Sequence, residues 1–439
     1  MGRGGGTSLP GNLLLRWRPQ AVRELAVNLP GGAIVVSATN GKTTTARLIG
    51  SCARAAGHRL VTNPSGANLM SGVATALLAE RHAPIHADLA MFEVDEAALP
   101  AVATQLQPRI VLLMNLFRDQ LDRYGELEEL ATRWRVMLAG LPPDTTVILN
   151  ADDPAVAALG DAHPGAMYFG IDDPGPALPA LPHAADSKRC RRCEAPLVYD
   201  VVYVGHLGHW RCPDCGWSRP TPTIRATRVV VDRLQGVDVE VQTPHGQVTA
   251  RITLPGVHNA YNATAAIAVA SALGIAPELI AGALATSQAA FGRAERVRIG
   301  GVEALLLLVK NPAGANETVR TILLDPEPVD LLLALNDRTA DGRDVSWIWD
   351  VDYELLLPRL RRLTVTGDRA YDLALRFRYA GLEGDRLSVV SNLEAAVDAA
   401  VAGTPPGRPL YMLPTYTAML DLREILVERG VAQEFWRDR

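Results

Sequence analysis

The stretch "SATNGKTTT", residues 37–45, decides the fold of this 439-residue chain. The residues before it, "GAIVV" (32–36), are typical of a buried strand, and those after it, up to Gly57, are typical of a helix. A glycine turn between a strand and a helix is the context of a phosphate loop, because N–H groups at a helix start favour phosphate oxygens. A glycine turn with a helix-capping threonine is the alternative.

Two side chains of this loop have a defined chemistry in phosphate binding. Lys42 can neutralise charge on the β- and γ-phosphates, and the hydroxyl of Thr43 can bind Mg²⁺. Lysine is otherwise almost absent, since only Lys42, Lys188 and Lys310 are lysines among 43 basic residues. We therefore expect each surviving lysine to be required as lysine.

The order of secondary structure predicts an α/β protein in two parts. Continuous apolar strands alternate with helices after the phosphate loop, which indicates a parallel sheet covered on both faces. The predicted strands are 32–39, 58–63, 87–94, 109–117 and 145–150, and the predicted helices are 41–57, 71–82, 96–105 and 126–139. Shorter strands at 228–254 indicate antiparallel structure, and one helical stretch is predicted over 260–290.

A second α/β region begins near residue 300, with predicted strands at 302–309, 329–336, 362–367, 387–391 and 409–415. We predict three regions along the chain: an N-terminal leader at 1–30, an ATP-binding domain at 31–297 and a C-terminal domain at 298–439. A Pro- and Ala-rich linker from residue 172 leads into a cysteine-rich insert at about 186–220 in the ATP-binding domain.

Composition excludes several classes of protein. A net charge of -5 gives no sign of nucleic-acid binding, which needs a basic surface. No apolar run reaches the 18 or so residues of a membrane helix, and the N-terminus lacks the apolar segment of a secretory signal. The sequence therefore predicts a cytoplasmic protein without a transmembrane segment.

Four of the five cysteines form two C-x-x-C pairs, "CRRC" (190–193) and "CPDC" (212–215). This spacing predicts a zinc ribbon in which Cys190, Cys193, Cys212 and Cys215 hold a structural Zn²⁺. Disulfides are the alternative, which a cytoplasmic compartment disfavours. His206 and His209 lie between the pairs and are not expected to be ligands. Cys52 is expected to be a buried helical thiol, so the chain is expected to lack a thiol nucleophile.

The motif T-N-G-K-T-T resembles that of the Mur ligase and folylpolyglutamate synthetase superfamily. Further segments follow in that superfamily's order: "FEVDEA" (92–97), "NLFRDQLDRYGE" (115–126, with Gln120 where His is usual), "LNADDP" (149–154), "GVHNAYNATAA" (256–266) and "GRAE" (292–295). The resemblance implies that ATP phosphorylates a carboxylate to an acyl phosphate, which an amine then attacks. The superfamily's carbamylated lysine has no counterpart, because no lysine lies between 43 and 187.

The same resemblance implies the site residues. ATP would bind at Thr39, Asn40, Gly41, Lys42, Thr43, Thr44, Asn259 and Arg293, with His258 beside them. Thr43 and Glu93 would hold Mg²⁺, and Lys42 and Glu93 would act in phosphoryl transfer. Lys310 is a weaker candidate for binding a substrate carboxylate or phosphate.

The cysteine insert, "VKNPAGANETV" (309–319) and "ADGRDVSWIWDVDYE" (340–354) together resemble the MurT family of synthetase subunits. That resemblance implies amidation of the α-carboxylate of D-glutamate in the lipid II stem peptide to D-isoglutamine, at the inner membrane face. A GatD-type glutaminase would be the partner in a heterodimer and would supply ammonia. Asp344 would complete the partner's Cys–His pair.

Segment 340–354 also admits other interpretations from its residues alone. Five carboxylates beside two tryptophans are compatible with a Ca²⁺ loop, a solvated loop or a buried tryptophan corner. Trp347 and Trp349 are expected to be packing residues or anchors, and Asp350 and Asp352 to be turn or cap residues. Two other functions stay open: a standalone amino-acid ligase of the Mur or folylpolyglutamate type, and a non-enzymatic nucleotide-binding scaffold.

Overall fold

The protein is described by a computed structural model covering residues 8–63, 66–82, 86–119, 127–182, 185–287 and 293–432, with residues 293 and 294 described by their backbone only. Two helices begin the chain, α1 (Leu9–Trp17) and α2 (Ala21–Ala26). Residues 9–26 are therefore folded, whereas the sequence predicted a leader.

The first half of the chain builds one mixed sheet. A separate hairpin, β7–β8, lies within the same part of the chain. The strands of this part are β1 (Ala33–Ser37), β2 (Leu60–Thr62), β3 (Leu89–Glu93), β4 (Ile110–Leu113), β5 (Thr146–Asn150), β6 (Met167–Ile171), β7 (Val198–Val204), β8 (Leu207–Arg211), β9 (Ile224–Asp232), β10 (Gly236–Thr243) and β11 (Gly246–Ile252). The described strands lie in the order β11-β10-β9-β6-β5-β4-β1-β3-β2, while β7 and β8 pair only with each other. Strands β1 to β6 pair in parallel and β9 to β11 are antiparallel, as predicted for all of these strands except β6, which the sequence did not predict.

The helices of this half cover both faces of the sheet. They are α3 (Lys42–Ala55), α4 (Met70–Arg81), α5 (Leu99–Leu106), α6 (Leu127–Ala139), α7 (Pro154–Ala157), α8 (Val257–Ala272) and α9 (Pro277–Ala285). The helical stretch predicted over 260–290 consists of two helices, α8 and α9, in its described part. Gly274 has a φ of +77°, which ends α8, and Pro277 begins α9.

The second half builds a separate sheet. Its strands are β12 (Arg293–Ile299), β13 (Val302–Leu307), β14 (Val329–Ala334), β15 (Leu360–Thr366), β16 (Leu387–Val389) and β17 (Leu410–Pro414), in the order β12-β13-β17-β14-β15-β16. Its helices are α10 (Pro312–Leu323), α11 (Ala370–Tyr379), α12 (Leu393–Gly403) and α13 (Tyr416–Glu428). Strand β12, which the sequence did not predict, pairs antiparallel with β13. The chain thus changes sheets between Ala285 and Arg293, and the domain boundaries stay a prediction.

Strand order brings the phosphate loop to the middle of the first sheet. Strand β1 lies between β3 and β4, and its residues are fully buried. The register places Val36 beside Glu93 and Ser37 beside Leu113, so the segments that follow these three strands meet at one edge of the sheet. Within the part of the chain that the structure describes, no helix is both long and apolar enough to span a membrane.

The docking of α1 can be tested at Gly11. A Cβ atom there would lie 1.9 Å from the carbonyl oxygen of Ser71, and the Gly11 N–H donates to the Thr75 hydroxyl at 2.9 Å. We predict that Gly11→Ala lowers the free energy of unfolding by about 1–3 kcal/mol, because the added methyl overpacks this contact. Gly282→Ala in α9 is the control, since its Cβ would meet nothing within 4 Å. Equal stability of the two variants in urea unfolding would contradict the docking of α1.

Candidate active site

The phosphate loop depends on a glycine that no other residue can replace. Helix α3 begins at Lys42, and Gly41 before it has a φ of +92°, in the left-handed region. A Cβ at Gly41 would lie 2.2 Å from the amide oxygen of Asn262 on α8. Conformation and space therefore both require glycine here.

The loop is held by the segment that follows β4. Asn115 closes a reciprocal pair with the backbone of Asn40: the Asn40 N–H donates to its Oδ1 at 2.9 Å, and its Nδ2 donates to the Asn40 carbonyl at 2.9 Å. The backbone N–H of Phe117 donates to the Thr39 hydroxyl at 3.0 Å. These bonds make residues 39–40 a rigid part of the sheet edge.

Lys42 is buried in a pocket of carboxylates. Its Nζ donates to Glu96 Oε2 at 2.7 Å and to the carbonyl of Ala38. Burial lowers the pKa of Lys42, but the charge and hydrogen bond of Glu96, with weaker contributions from Glu93 and Asp119, raise it above its usual value. The side chain is therefore cationic at neutral pH. Sequence reasoning missed Glu96, although the acid-rich motif "FEVDEA" contained it.

The two predicted Mg²⁺ ligands lie at the same edge. Glu93 ends β3, and the Asn63 amide fixes its backbone, accepting from the Glu93 N–H at 3.1 Å and donating to the Glu93 carbonyl at 2.8 Å. Thr43 is half-buried in the first turn of α3. Carboxylate and hydroxyl oxygens beside a phosphate loop suit Mg²⁺, which prefers hard oxygen donors.

A chain of amides joins α3 to α8. The Thr45 hydroxyl donates to Asn262 Oδ1 at 3.3 Å, and Asn262 Nδ2 donates to Asn259 Oδ1 at 2.9 Å. Asn259 Nδ2 donates to the carbonyl of Pro255 at 2.7 Å and lies 3.0 Å from His258 Nε2. The structure thus brings the predicted residue Asn259 to the loop. The Arg293 side chain and residues 120–126, including Gln120, lie outside the described residues.

The second sheet reaches the phosphate loop through residues 310 and 311. Asn311 Nδ2 donates to Asn40 Oδ1 at 3.0 Å, and Asn40 Nδ2 donates back to Asn311 Oδ1 at 3.3 Å. Lys310 Nζ lies 2.6 Å from Asp119 Oδ2. Asn311 also caps α10 by accepting from the Gly314 N–H at 2.8 Å. Lys310, for which substrate binding was a hypothesis, is thus paired with a carboxylate of the first half of the chain.

A cleft lies between the two sheets beside this junction. Three parts of the molecule form its walls: first the phosphate loop and its neighbours, second the C-terminal half of the chain, and third the β7–β8 hairpin. Among the residues that line it are Asn40, Gly41, Thr44, Asn115, Phe117, Asn259 and Asn262 from the first part, Leu307, Ala313, Gly314 and Thr318 from the second, and Val204 and Leu207 from the third.

The four ribbon cysteines meet at one end of the β7–β8 hairpin. The sulfur atoms of Cys190 and Cys215 lie 3.6 Å apart, those of Cys193 and Cys212 lie 3.4 Å apart, and all four lie within 4.8 Å of one another. Tetrahedral Zn²⁺ with Zn–S bonds of about 2.3 Å needs sulfur separations of about 3.8 Å. The four thiols therefore fit a closed Cys₄ zinc site.

Asp344 lies on the second sheet's side, in an exposed loop that is held at both ends. Hydrogen bonds from Ser346, whose N–H donates to Asp344 Oδ1 at 2.8 Å, hold the pKa of Asp344 below its usual value. Asp341 is buried before the loop and accepts from the Thr417 N–H at 2.8 Å. After the loop, Arg376 donates to the carbonyl of Val351 at 2.7 Å.

Comparison with known proteins decides the family. The Mur ligase middle domain matches residues 36–181, and the MurT ligase C-terminal family matches 308–419. Over 98% of this chain and 94% of the relative, 34% of residues are identical to "Lipid II isoglutaminyl synthase (glutamine-hydrolyzing) subunit MurT" of Streptococcus pneumoniae. The Staphylococcus aureus protein of the same name is 30% identical over 96% and 93%. The chain belongs to the MurT family. It is therefore a Mur-type, ATP-dependent ligase.

Solved structures show how this MurT-family chain relates in fold to other ligases. A pseudomurein peptide ligase type C from Methanothermus fervidus superposes with a TM-score of 0.71 at 21% identity, covering 92% of this chain and 80% of that one. A Mycobacterium tuberculosis folylpolyglutamate synthase gives 0.63 at 17%, covering 98% and 99%. The predicted Mur ligase-like α/β fold is confirmed.

Gly41 offers a sharp test of the phosphate loop. We predict that Gly41→Ala weakens binding of Mg²⁺–ATP at least about tenfold, because its Cβ displaces Asn262 and the loop with it. Gly57→Ala is a matched control, since Gly57 also has a φ of +92° but its Cβ would meet nothing within 4 Å. Both variants strain the backbone, and Gly41→Ala should lose the more thermal stability because it also clashes with Asn262; calorimetry should show weakened nucleotide binding in Gly41→Ala alone. Normal nucleotide affinity in Gly41→Ala would place the nucleotide elsewhere.

Proposed function

We propose that this protein is the synthetase subunit of a lipid II isoglutaminyl synthase. It would use ATP to convert the α-carboxylate of D-glutamate in the stem peptide to the amide, with ammonia from a GatD-type glutaminase subunit. The observation that carries the proposal is the pairing of a phosphate loop with the Lys310–Asn311 segment in a chain that matches MurT subunits over nearly its whole length. The activity places the protein in peptidoglycan biosynthesis.

The first step is phosphoryl transfer. An oxygen of the stem-peptide carboxylate bonds to the γ-phosphorus of ATP while the bond from that phosphorus to ADP breaks, which leaves an acyl phosphate. Lys42 offsets the charge on the transferred group, and N–H groups at the start of α3 bind phosphate oxygens. Mg²⁺ held by Thr43 and Glu93 would supply further neutralisation of that charge. Asn259 and the Arg293 side chain would position the nucleotide.

The second step is attack by ammonia. Release of ammonia from glutamine uses a thiol nucleophile, and no cysteine of this chain suits that role. Cys52 is buried in α3, and burial raises the pKa of its thiol to about 12. The other four cysteines belong to the proposed zinc site. Ammonia bonds to the carbonyl carbon, phosphate leaves, and nitrogen loses a proton. The nucleophile that releases ammonia from glutamine therefore belongs to a partner.

Asp344 suits the role of orienting the partner's histidine. A triad carboxylate has to be ionised and has to reach an imidazole N–H. Asp344 is exposed, and its hydrogen bonds from Ser346 favour the ionised form. Arg376 also donates to both carboxylate oxygens of Glu354, at 2.8 and 2.9 Å, so the segment that follows Asp344 is tied to helix α11.

The surface next to Asp344 supports docking of a protein. Tyr371, Leu375 and Tyr379 follow one face of α11 at four-residue intervals and are 74%, 50% and 75% exposed. Trp349 is 44% exposed and stacks edge-on against Tyr379 with ring centroids 5.6 Å apart. Exposed aromatic clusters of this kind mark interfaces, and this one adjoins the loop that would face the partner's catalytic residues.

Tyr416 is under the electrostatic influence of both half-sites. Burial raises the pKa of Tyr416, at the start of α13, and the charges of Asp341 and Glu93 raise it further. Asp341 stands three residues before Asp344, and Glu93 belongs to the phosphoryl-transfer site. Carboxylates that belong to both half-sites therefore influence the same tyrosine. We place the enzyme in the cytoplasm, at the inner membrane face through lipid II.

The function is tested by mixing the protein with lipid II and Mg²⁺–ATP, and with ammonium, glutamine, or glutamine plus a GatD-type protein. We expect D-isoglutamine, detected by mass spectrometry, with ammonium and with glutamine plus partner, but not with glutamine alone. A standalone amino-acid ligase would instead turn over ATP with an amino acid and no partner. Absence of amidation with every nitrogen source would exclude the proposed reaction.

Asp344→Asn separates the two half-sites. We predict at least about a hundredfold loss of glutamine-dependent amidation, with ammonium-dependent amidation within about twofold of wild type, because the variant removes the group that orients the partner's histidine. Asp385→Asn, another exposed carboxylate of the same half of the chain, should change neither rate. Equal loss of both activities would assign Asp344 to the synthetase site instead.

A further inference from the structure

We propose that the tip of the zinc-ribbon hairpin is a wall of the nucleotide pocket, with Leu207 packed against the adenine of bound ATP. The metal at the other end of the hairpin then sets the affinity for ATP. This inference rests on the proposed function, because it needs the cleft beside the phosphate loop to hold ATP. It gives the ribbon a role in nucleotide binding and not only in folding.

The hairpin connects two distant places in the molecule. The cysteine pairs stand immediately outside the hairpin, with Cys190 and Cys193 before β7 and Cys212 and Cys215 after β8. The turn at 205–206 closes the other end, roughly 20 Å away at about 3.3 Å per strand residue. Val204 and Leu207, which flank this turn, line the same cleft as Asn40 and Gly41 of the phosphate loop.

The tip is anchored on the residues that hold the phosphate loop. His206 is fully buried, with its ring centroid 4.6 Å from that of Phe117 and its Nε2 3.3 Å from Asp153 Oδ2. Gly205 has a φ of +57°, and a Cβ there would lie 2.7 Å from the Phe117 ring. Because the Phe117 N–H also donates to the Thr39 hydroxyl, a shift of the hairpin tip would displace the phosphate loop.

The hairpin lies outside both large sheets and is held by contacts with its neighbours, among them a bond from the Gly208 N–H to the carbonyl of Asp152 at 2.9 Å. Strands β7 and β8 join neither large sheet, and an isolated two-stranded hairpin is marginally stable in water. Trp210 donates to the carbonyl of Ala151 at 3.1 Å and packs with Trp217 beside the cysteines. A metal that closes the open end would therefore add to the order that these contacts give the hairpin.

The chemistry of the cleft indicates what Leu207 would contact. Val204 and Leu207 offer an apolar wall opposite the amides of Asn259 and Asn262. Such a pocket, apolar on one side with a few directed polar groups on the other, suits a flat heteroaromatic base. A closed Cys₄ site keeps no open coordination position, so a bound metal would affect nucleotide binding through the hairpin and not by direct contact.

The test is calorimetric binding of a non-hydrolysable ATP analogue with Mg²⁺ to the full-length chain, with zinc content measured alongside. We expect Leu207→Ala to keep about one zinc per chain and to raise the Kd about tenfold, the effect of losing a packed apolar side chain. Val202→Ala is the matched control and should bind like wild type, because Val202 is buried in the same hairpin, 4% exposed against 2% for Leu207, but does not line the cleft.

Cys193→Ser extends the test to the metal. We expect this variant to lose zinc and to raise the Kd by a similar factor, and the double variant with Leu207→Ala to be no weaker than the weaker single variant. A wild-type Kd in zinc-loaded Leu207→Ala would overturn the inference while leaving the proposed function intact. Failure of the wild-type protein to bind the analogue would overturn both.

Discussion

The reciprocal amide pair between Asn40 and Asn311 is the contact on which the rest of the site depends. It joins the phosphate loop to the start of helix α10, and Lys310 joins the same place through Asp119. Asn311 is almost fully buried, so a partner lost from either amide would leave an unsatisfied polar group at a cost of about 1–3 kcal/mol. The shape of the phosphate loop therefore depends on the docking of the second sheet, and the docking depends on the shape of the loop.

This constraint explains how a chain of two sheets can carry half of a larger enzyme. The proposed phosphoryl transfer would use groups at the edge of the first sheet, where Lys42 is buried and paired with Glu96. The glutaminase partner would use an exposed carboxylate instead of a buried cation. That carboxylate is Asp344, which lies beside an exposed aromatic surface. The junction at Asn311 joins the two sheets that carry these proposed sites.

Local patterns in the sequence predicted most of the fold and the loop of the site. The structure confirms the strand–loop–helix at 32–57, the clustering of the two C-x-x-C pairs and the five strands predicted after residue 300. Each of these features has a short-range signal in residue type or spacing. The pairing of Lys42 with Glu96 and of Lys310 with Asp119 could not be predicted, since both depend on how distant segments meet. The folded helix α1 was missed for the same reason: its Gly11 contact lies on α4.

The central claim is that this site activates a carboxylate with ATP, and oxygen transfer tests it most directly. Lipid II with both α-carboxylate oxygens of D-glutamate labelled as ¹⁸O would be amidated with unlabelled ATP and ammonium, and the released phosphate analysed by mass spectrometry. An acyl phosphate predicts one ¹⁸O atom in each phosphate, because the carboxylate oxygen leaves bound to phosphorus. Unlabelled phosphate formed together with amide would contradict the account.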